Sequence, residues 1–167
     1  MPIEKKDAIK GGKFLIILII AFIAISLGMQ FSGAAQGMQS VIANNVSSIF
    51  NSFGYQTTLE ENIISFPNYD IRISELCTGL LELIILISAI IASIIVSLKK
   101  RLLGVMGAIA FVYVINLLRI IISINIILNG NLQAAEFAHD LLFRISLIVV
   151  IVGFYGIWFW FATNQKK

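Results

Sequence analysis

Four long apolar runs constrain this chain more than any other feature of its sequence. They cover residues 14–31, 76–98, 102–128 and 140–162, and the charged residues inside them are Glu82, Arg119, Asp140 and Arg144. A helix crosses the hydrocarbon core of a bilayer with roughly 20 apolar residues, so each run is long enough to do so. The sequence therefore predicts an all-α integral membrane protein, with about four transmembrane helices in a single membrane domain, residues 1–167.

The composition excludes a soluble domain, and the placement of the charges excludes a nucleic-acid-binding one. The chain is 59% hydrophobic and 13% charged, with a mean hydropathy of +0.95. Its net charge is +3, but nine of its twelve basic residues form three clusters that adjoin apolar runs: Lys5, Lys6, Lys10 and Lys13; Lys99, Lys100 and Arg101; Lys166 and Lys167. Such clusters mark the cytoplasmic ends of membrane spans, not a phosphate-binding face.

These clusters predict the topology of a multi-pass protein of the cell (plasma) membrane. Both termini and the 99–101 turn are expected in the cytoplasm, which leaves about residues 32–75 and a loop near 129–138 outside. The acidic residues agree, because most lie in the outer stretches or at adjacent helix ends: Glu60, Glu61, Asp70, Glu75, Glu82, Glu136 and Asp140. The first run is longer than the apolar core of a signal peptide, so an uncleaved anchor is expected.

Residues 32–75 are predicted to form a small extracytoplasmic cap. From Met38 to Phe53 the apolar residues recur at helical spacing with polar residues between them, which predicts an amphipathic helix. After Gly54 the pattern changes to alternation, and two or three short strands are expected, with turns at residues 60–62 and 67–68. This β-element leads directly into the second apolar run.

Cys77, at the outer start of that run, is the first candidate for chemistry. It is the only cysteine, so no intrachain disulfide can form, and a free thiol is unusual on an oxidising outer face. A small buried apolar side chain is the simple interpretation. The following Thr78-Gly79 favours a nucleophile instead, because glycine permits close approach of another backbone and the free amides of a helix start favour a thiolate.

Arg119 lies deep in the third run, on the order of 13 Å along the helix from its outer end. Inserting an arginine there costs about 2.5–3.5 kcal/mol, so Arg119 is expected to face the bundle interior with a partner. Asn116 shares its helix face. A structural ion pair with Glu82, five residues after Cys77, is the alternative to a catalytic role, and the two do not exclude each other.

His139 and Asp140 begin the fourth run, at the predicted membrane level of Cys77. A histidine at a membrane interface is ordinarily a solvated side chain, but the position of His139 at the predicted membrane depth of Cys77 favours a functional role. Arg144 lies deeper, where it is expected either to pair with Glu82 or to act as a second cation. One cysteine and one histidine do not complete a tetrahedral metal site, so no metal is expected.

Taken together, these residues resemble the exosortase/archaeosortase family of membrane-embedded cysteine transpeptidases. The family pattern is a cysteine followed by a small residue and glycine, then Asn-x-x-Arg, then a histidine or arginine. The matching residues here are Cys77-Thr78-Gly79, Asn116-Leu117-Leu118-Arg119 and His139. The resemblance covers about residues 70–160, although this chain has fewer spans than many members. His139 and Arg144 compete for the variable third position, and His139 is favoured.

The resemblance implies that Cys77, Arg119 and His139 are catalytic, with Asn116, Glu82, Arg144, Gly79 and Asp140 in supporting roles and no cofactor. It also implies the partners: exported surface proteins that end in a short motif, a transmembrane helix and a basic tail, and a membrane lipid as a possible acceptor. A thioester on Cys77 would link cleavage to transfer.

A different class of function is left open by the residues themselves. In a non-enzymatic membrane subunit or small transporter component, Glu82, Arg119 and Arg144 would form a purely structural network, and Cys77 would be dispensable. A channel is disfavoured, because the three charges deep within the spans, Glu82, Arg119 and Arg144, do not line a polar pore.

Overall fold

The computed structural model describes residues 5–130, 137, 141, 144–145 and 147–164. In chain order its elements are helix α1 (Lys5–Ser32), helix α2 (Ala34–Ser52), strands β1 (Thr58–Glu60), β2 (Ile63–Phe66) and β3 (Tyr69–Arg72), a 3₁₀ turn (Glu75–Thr78), helix α3 (Leu80–Ala92), helix α4 (Leu98–Leu128), a π-helical segment (Val149–Phe154) and helix α5 (Tyr155–Asn164). The described chain is thus mostly helical, as predicted, with one small sheet between α2 and α3.

Two of these helices are long and apolar enough to cross a membrane, namely residues Ala8–Ser32 of α1 and the whole of α4. The most apolar stretch of α1 has no buried residue, and Leu15 and Ile20 are 57% and 62% exposed. Water disfavours so large an apolar surface, whereas lipid does not. The exposure of α1 therefore supports a membrane location for the chain.

The other two predicted spans contain shorter helices. Helix α3 has 13 residues and so extends about 20 Å, less than the ~30 Å hydrocarbon core of a bilayer. Its C-cap is Ser93, whose hydroxyl donates to the carbonyl of Ala89 (2.9 Å) and lies 2.8 Å from the Tyr155 hydroxyl. The chain then turns through residues 93–97 into α4. The predicted span 76–98 is thus a turn, a short helix and a second turn, and the four-span count stays a prediction.

The ends of α3, α4 and α5 meet at one end of the bundle, called here the basic end because it contains Lys99–Arg101. The Lys100 ammonium donates to the carbonyl of Ala162 (2.8 Å), and the Arg101 guanidinium donates to the carbonyl of Ile91 (3.0 Å). These carbonyls lie in the last turns of α5 and α3, where a helix presents unpaired acceptors and partial negative charge. The cations of the basic cluster thereby join three helix ends.

The opposite end of α4 supports the cap, formed by α2 and the sheet. Gly33, with φ of 66°, separates α1 from α2, and a left-handed backbone of this kind favours glycine. The strands are antiparallel in the order β1-β2-β3, so that Ile64 pairs with Leu59 on one side and with Ile71 on the other. The amphipathic helix and the short strands predicted for residues 32–75 are therefore present, although α2 begins at Ala34 rather than near Met38.

One face of α2 and one face of the sheet share a core with α4. The buried side chains are Ile42, Ala43, Val46 and Phe50 of α2, Ile64, Phe66 and Ile73 of the sheet region, and Ile120 and Ile124 of α4. The rings of Phe50 and Phe66 meet edge to face, with centroids 5.4 Å apart. Because α4 contributes to this core, the cap is fixed to the helix that also carries Arg119. The side of the membrane on which the cap lies stays a prediction.

Close packing of α4 against α5 explains a glycine near the basic end. A Cβ atom at Gly104 would overlap the indole ring of Trp158, whose Nε1 donates to the carbonyl of Lys100 (3.3 Å). By contrast, a Cβ at Gly156 of α5 would meet no described atom within 4 Å. Of these two glycines, Gly104 alone is therefore required by a neighbouring side chain.

We expect Gly104→Ala to destabilise the protein, because its methyl group must displace the Trp158 indole. Overpacking of this kind costs about 1–3 kcal/mol, and thermal unfolding in detergent, followed by circular dichroism, measures it. Gly156→Ala is the matched control. It should leave the melting temperature unchanged or slightly higher, since alanine favours a helix over glycine. Equal melting temperatures for the two variants would contradict the packing described here.

Candidate active site

Cys77 lies in the 3₁₀ turn that connects the sheet to α3, not within a helix. Its backbone amide donates to the carbonyl of Ser74 (3.0 Å), and the Thr78 hydroxyl donates to the carbonyl of Glu75 (2.6 Å). The same Thr78 oxygen accepts from the amide of Leu80 (3.3 Å), the first residue of α3. The turn is therefore closed by its own hydrogen bonds and holds the cysteine just before the start of α3.

Gly79 ends this turn, and two separate constraints require a glycine there. Its φ is 72°, a left-handed conformation that side chains with a Cβ adopt at a cost. A Cβ atom would also lie 3.1 Å from Cγ of Asn116. The close approach that the sequence predicted at Gly79 is made by a side chain of α4, rather than by another backbone.

Asn116 binds the cysteine residue directly. Its amide nitrogen donates to the carbonyl of Cys77 at 2.6 Å, and Asn116 itself is buried. The sequence placed Asn116 on the helix face of Arg119, in a supporting role, without indicating this contact. The contact was not predictable from the sequence, because residues 77 and 116 are brought together only by the packing of α4 beside the turn.

Arg119 is buried beside the same turn, as its depth in the third run predicted. One guanidinium nitrogen, Nη2, donates to the carbonyl of Leu76 (3.3 Å), and the other, Nη1, lies 3.3 Å from Oε1 of Glu82. Arg119 and Glu82 are 4% and 3% exposed. The ion pair offered as the structural alternative therefore forms, and the same guanidinium also contacts the residue preceding Cys77.

The thiol of Cys77 has a neighbour that the sequence analysis missed. The Ser74 hydroxyl lies 3.2 Å from Sγ, and either atom can donate the hydrogen bond. Cys77 is half-buried and packs against the core of the cap. A serine three residues before the cysteine was the available signal, because i and i+3 side chains meet across a 3₁₀ turn.

Of the two candidates for the third catalytic position, the structure describes only Arg144. His139 and Asp140 are outside the described residues. Arg144 is described and is exposed. The residues that the structure brings together are thus Cys77, Gly79, Asn116, Arg119 and Glu82, with Ser74 added.

Two cavities adjoin the turn that carries Cys77. The larger, of about 360 Å³, touches Thr78 and Gly79 and is otherwise lined by side chains of α2, α3 and α4, among them Met38, Leu83 and Tyr113. The smaller, of about 240 Å³, touches Leu76 and Glu82. Cys77 itself lines neither cavity, but its neighbours in the turn do, and such open volume leaves room for a substrate chain beside the turn.

Comparison with known proteins gives one result. The model of the transmembrane exosortase family matches residues 11–156, which is most of the chain. That range contains every site residue predicted from the sequence. No curated protein and no solved structure matches the chain significantly.

We expect Glu82→Gln and Arg119→Gln each to destabilise the protein by about 3–5 kcal/mol, because each leaves one buried charge uncompensated. The double variant should lose less than the sum of the two single losses, since it removes both charges. Thermal unfolding of the two single variants and the double variant in detergent measures this coupling as a double-mutant cycle. Glu75→Gln neutralises an exposed carboxylate in the 3₁₀ turn that precedes α3. It is the control and should leave the free energy of unfolding unchanged. Additive losses for the pair would show that the ion pair contributes nothing.

Proposed function

Since this chain belongs to the transmembrane exosortase family, we propose that it is a membrane cysteine transpeptidase with Cys77 as its nucleophile. Membership of the family implies the processing of proteins that carry a C-terminal sorting signal. The proposed substrates are exported surface proteins that end in a short motif, a transmembrane helix and a basic tail. The proposed reaction is cleavage near the motif, followed by transfer of the protein to a lipid acceptor or to water.

The observation that carries this proposal is the pair of contacts that α4 makes with the cysteine turn. Arg119 and Asn116 donate to two successive carbonyls, those of Leu76 and Cys77. These buried donors from α4 hold the peptide groups on either side of the Cys77 Cα atom. A nucleophile needs its reacting atom in one place, and such fixation reduces the entropy lost on reaching the transition state.

The first step is acylation. The Cys77 thiolate attacks the scissile carbonyl carbon, and a tetrahedral oxyanion forms. Arg119, whose guanidinium donates to the Leu76 carbonyl beside Cys77, supplies positive charge that favours this oxyanion. Collapse of the intermediate breaks the C–N bond, and the leaving amine takes a proton from His139. The products are a thioester on Cys77 and the released tail.

The second step is transfer. An amine-bearing lipid or water attacks the thioester carbonyl and gives its proton to His139, and the C–S bond breaks to regenerate the thiolate. Ser74, 3.2 Å from Sγ, is placed to donate a hydrogen bond to the thiolate in both steps. Glu82 keeps the Arg119 guanidinium beside the turn. Arg144 is the alternative to His139 as the third catalytic residue.

A second candidate function is favoured by the buried ion pair between Arg119 and Glu82. In a non-enzymatic membrane subunit or transporter component, this pair would join α3 to α4 and have no chemical role. That function needs the charges but not the thiol. The two candidates therefore differ in what the loss of Cys77 does.

We expect Cys77→Ala to abolish processing while the protein stays folded, because the nucleophile is lost and the half-buried site keeps its other contacts. The readout is mass spectrometry of the C-termini of exported proteins that carry an apolar helix and a basic tail, in cells that express either form. Melting in detergent verifies that the variant is folded. Processing that persists in folded Cys77→Ala protein would eliminate the cysteine mechanism.

We expect Asn116→Ala to slow processing by about 10–100-fold, since a lost buried hydrogen bond is worth about 1–3 kcal/mol and its loss frees the Cys77 carbonyl. The rate at saturating substrate should fall, with little change in the concentration that gives half the maximal rate. Asn125→Ala, an exposed asparagine on the same helix, is the matched control. Equal rates for the two variants would remove Asn116 from the mechanism.

A further inference from the structure

A second site lies at the basic end of the bundle, at the opposite end of α3 from Cys77. An apolar cavity of about 490 Å³ opens there between α1, the 93–97 turn and α5. Its apolar lining includes Phe14, Ile95, Tyr155 and Phe159. Helix α3, about 20 Å long, separates this cavity from the cysteine turn, so it does not serve the proposed peptide chemistry.

The charges at this cavity have one sign. Lys10 and Lys13 both line it and both are exposed. They are three residues apart on α1, so they lie on the same side of that helix. Among the described residues that line the cavity, none is acidic. An apolar volume with two ammonium groups at its border is complementary to a molecule with an apolar chain and an anionic head.

A polar pair in the wall adds hydrogen-bonding capacity. The hydroxyls of Ser93 and Tyr155 lie 2.8 Å apart, and both residues line the cavity. Ser93 is 3% exposed, so its hydroxyl lies inside the protein rather than at its surface. Because the Ser93 hydroxyl donates to the carbonyl of Ala89 and the Tyr155 hydroxyl donates to Ser93, both protons are used within the protein, and the pair keeps only acceptor oxygens for a hydroxylated lipid head group.

We propose that this cavity binds one anionic phospholipid, with its phosphate at Lys10 and Lys13 and an acyl chain among Phe14, Tyr155 and Phe159. Basic pockets between transmembrane helices are suited to anionic head groups. Free phosphate would leave the apolar volume unfilled, and the basic tail of a peptide would be repelled by the two lysines. The bound lipid would join α1 to α5 at the end of the bundle where the basic cluster lies.

Native mass spectrometry of the full chain in detergent tests the charged half of the site, with phosphatidylglycerol and phosphatidylcholine as probes. Phosphatidylglycerol should bind at least tenfold more tightly. Each lysine contributes about fivefold, so Lys10→Gln with Lys13→Gln should weaken binding by about 25-fold. Lys99→Gln removes a charge from the same end of the bundle without touching the cavity, and should change the affinity less than twofold. Equal affinity for the two lipids, or equal effects of Lys13→Gln and Lys99→Gln, would overturn the proposal.

Neighbouring glycines of α1 test the apolar half. Gly11 lines the cavity and Gly12 does not, and a Cβ at either would meet no described atom within 4 Å. Gly11→Trp should therefore reduce phosphatidylglycerol binding at least tenfold, whereas Gly12→Trp should not. Binding of glycerol phosphate as tight as that of the lipid, or equal binding by the two tryptophan variants, would refute an acyl-chain site. Cys77→Ala should bind phosphatidylglycerol normally, because this site is independent of the proposed reaction.

Discussion

The guanidinium of Arg119 carries a charge inside an apolar bundle, and polar groups of two neighbouring segments pair with it. Its partners are the Glu82 carboxylate at the start of α3 and the Leu76 carbonyl in the cysteine turn. A buried ion is tolerated only when it is paired and hydrogen-bonded. Helix α4 therefore cannot move along α3 or away from the turn without breaking these contacts. Asn116, three residues earlier, adds the bond to the Cys77 carbonyl.

Along its length, helix α4 contacts first the basic end, then the cysteine turn and then the cap. Near Leu98 it joins the basic end, where Gly104 admits the Trp158 indole of α5. In its middle it holds the cysteine turn, and towards Leu128 it contributes Ile120 to the core of the cap. The contacts that fix Cys77 and those that fix the cap thus lie on neighbouring turns of one helix. A peptide bound beside Cys77 would contact a surface made by both.

The sequence predicted elements that depend on local pattern. The short strands with turns at residues 60–62 and 67–68, the amphipathic helix and the burial of Arg119 all follow from periodicity or from the cost of an exposed charge in lipid. It did not predict that α3 ends at Ala92, because the apolar run continues past Ser93, and the contact of Ser93 with Tyr155 depends on how α3 packs beside α5. The contact between Asn116 and Cys77 was unpredictable for the same reason, since it joins residues distant in the chain.

The most direct test of the central claim, that the α4 contacts make Cys77 a reactive nucleophile, is the rate of thiol labelling in open membranes at neutral pH. The chain has one cysteine, so the signal is unambiguous. The reference is Ser52→Cys with Cys77→Ala, which puts an ordinary thiol at an exposed position of α2. Our account predicts that half-buried Cys77 reacts faster than this reference, and that Arg119→Gln removes the advantage. Slower labelling than the reference, or a rate indifferent to Arg119, would contradict it.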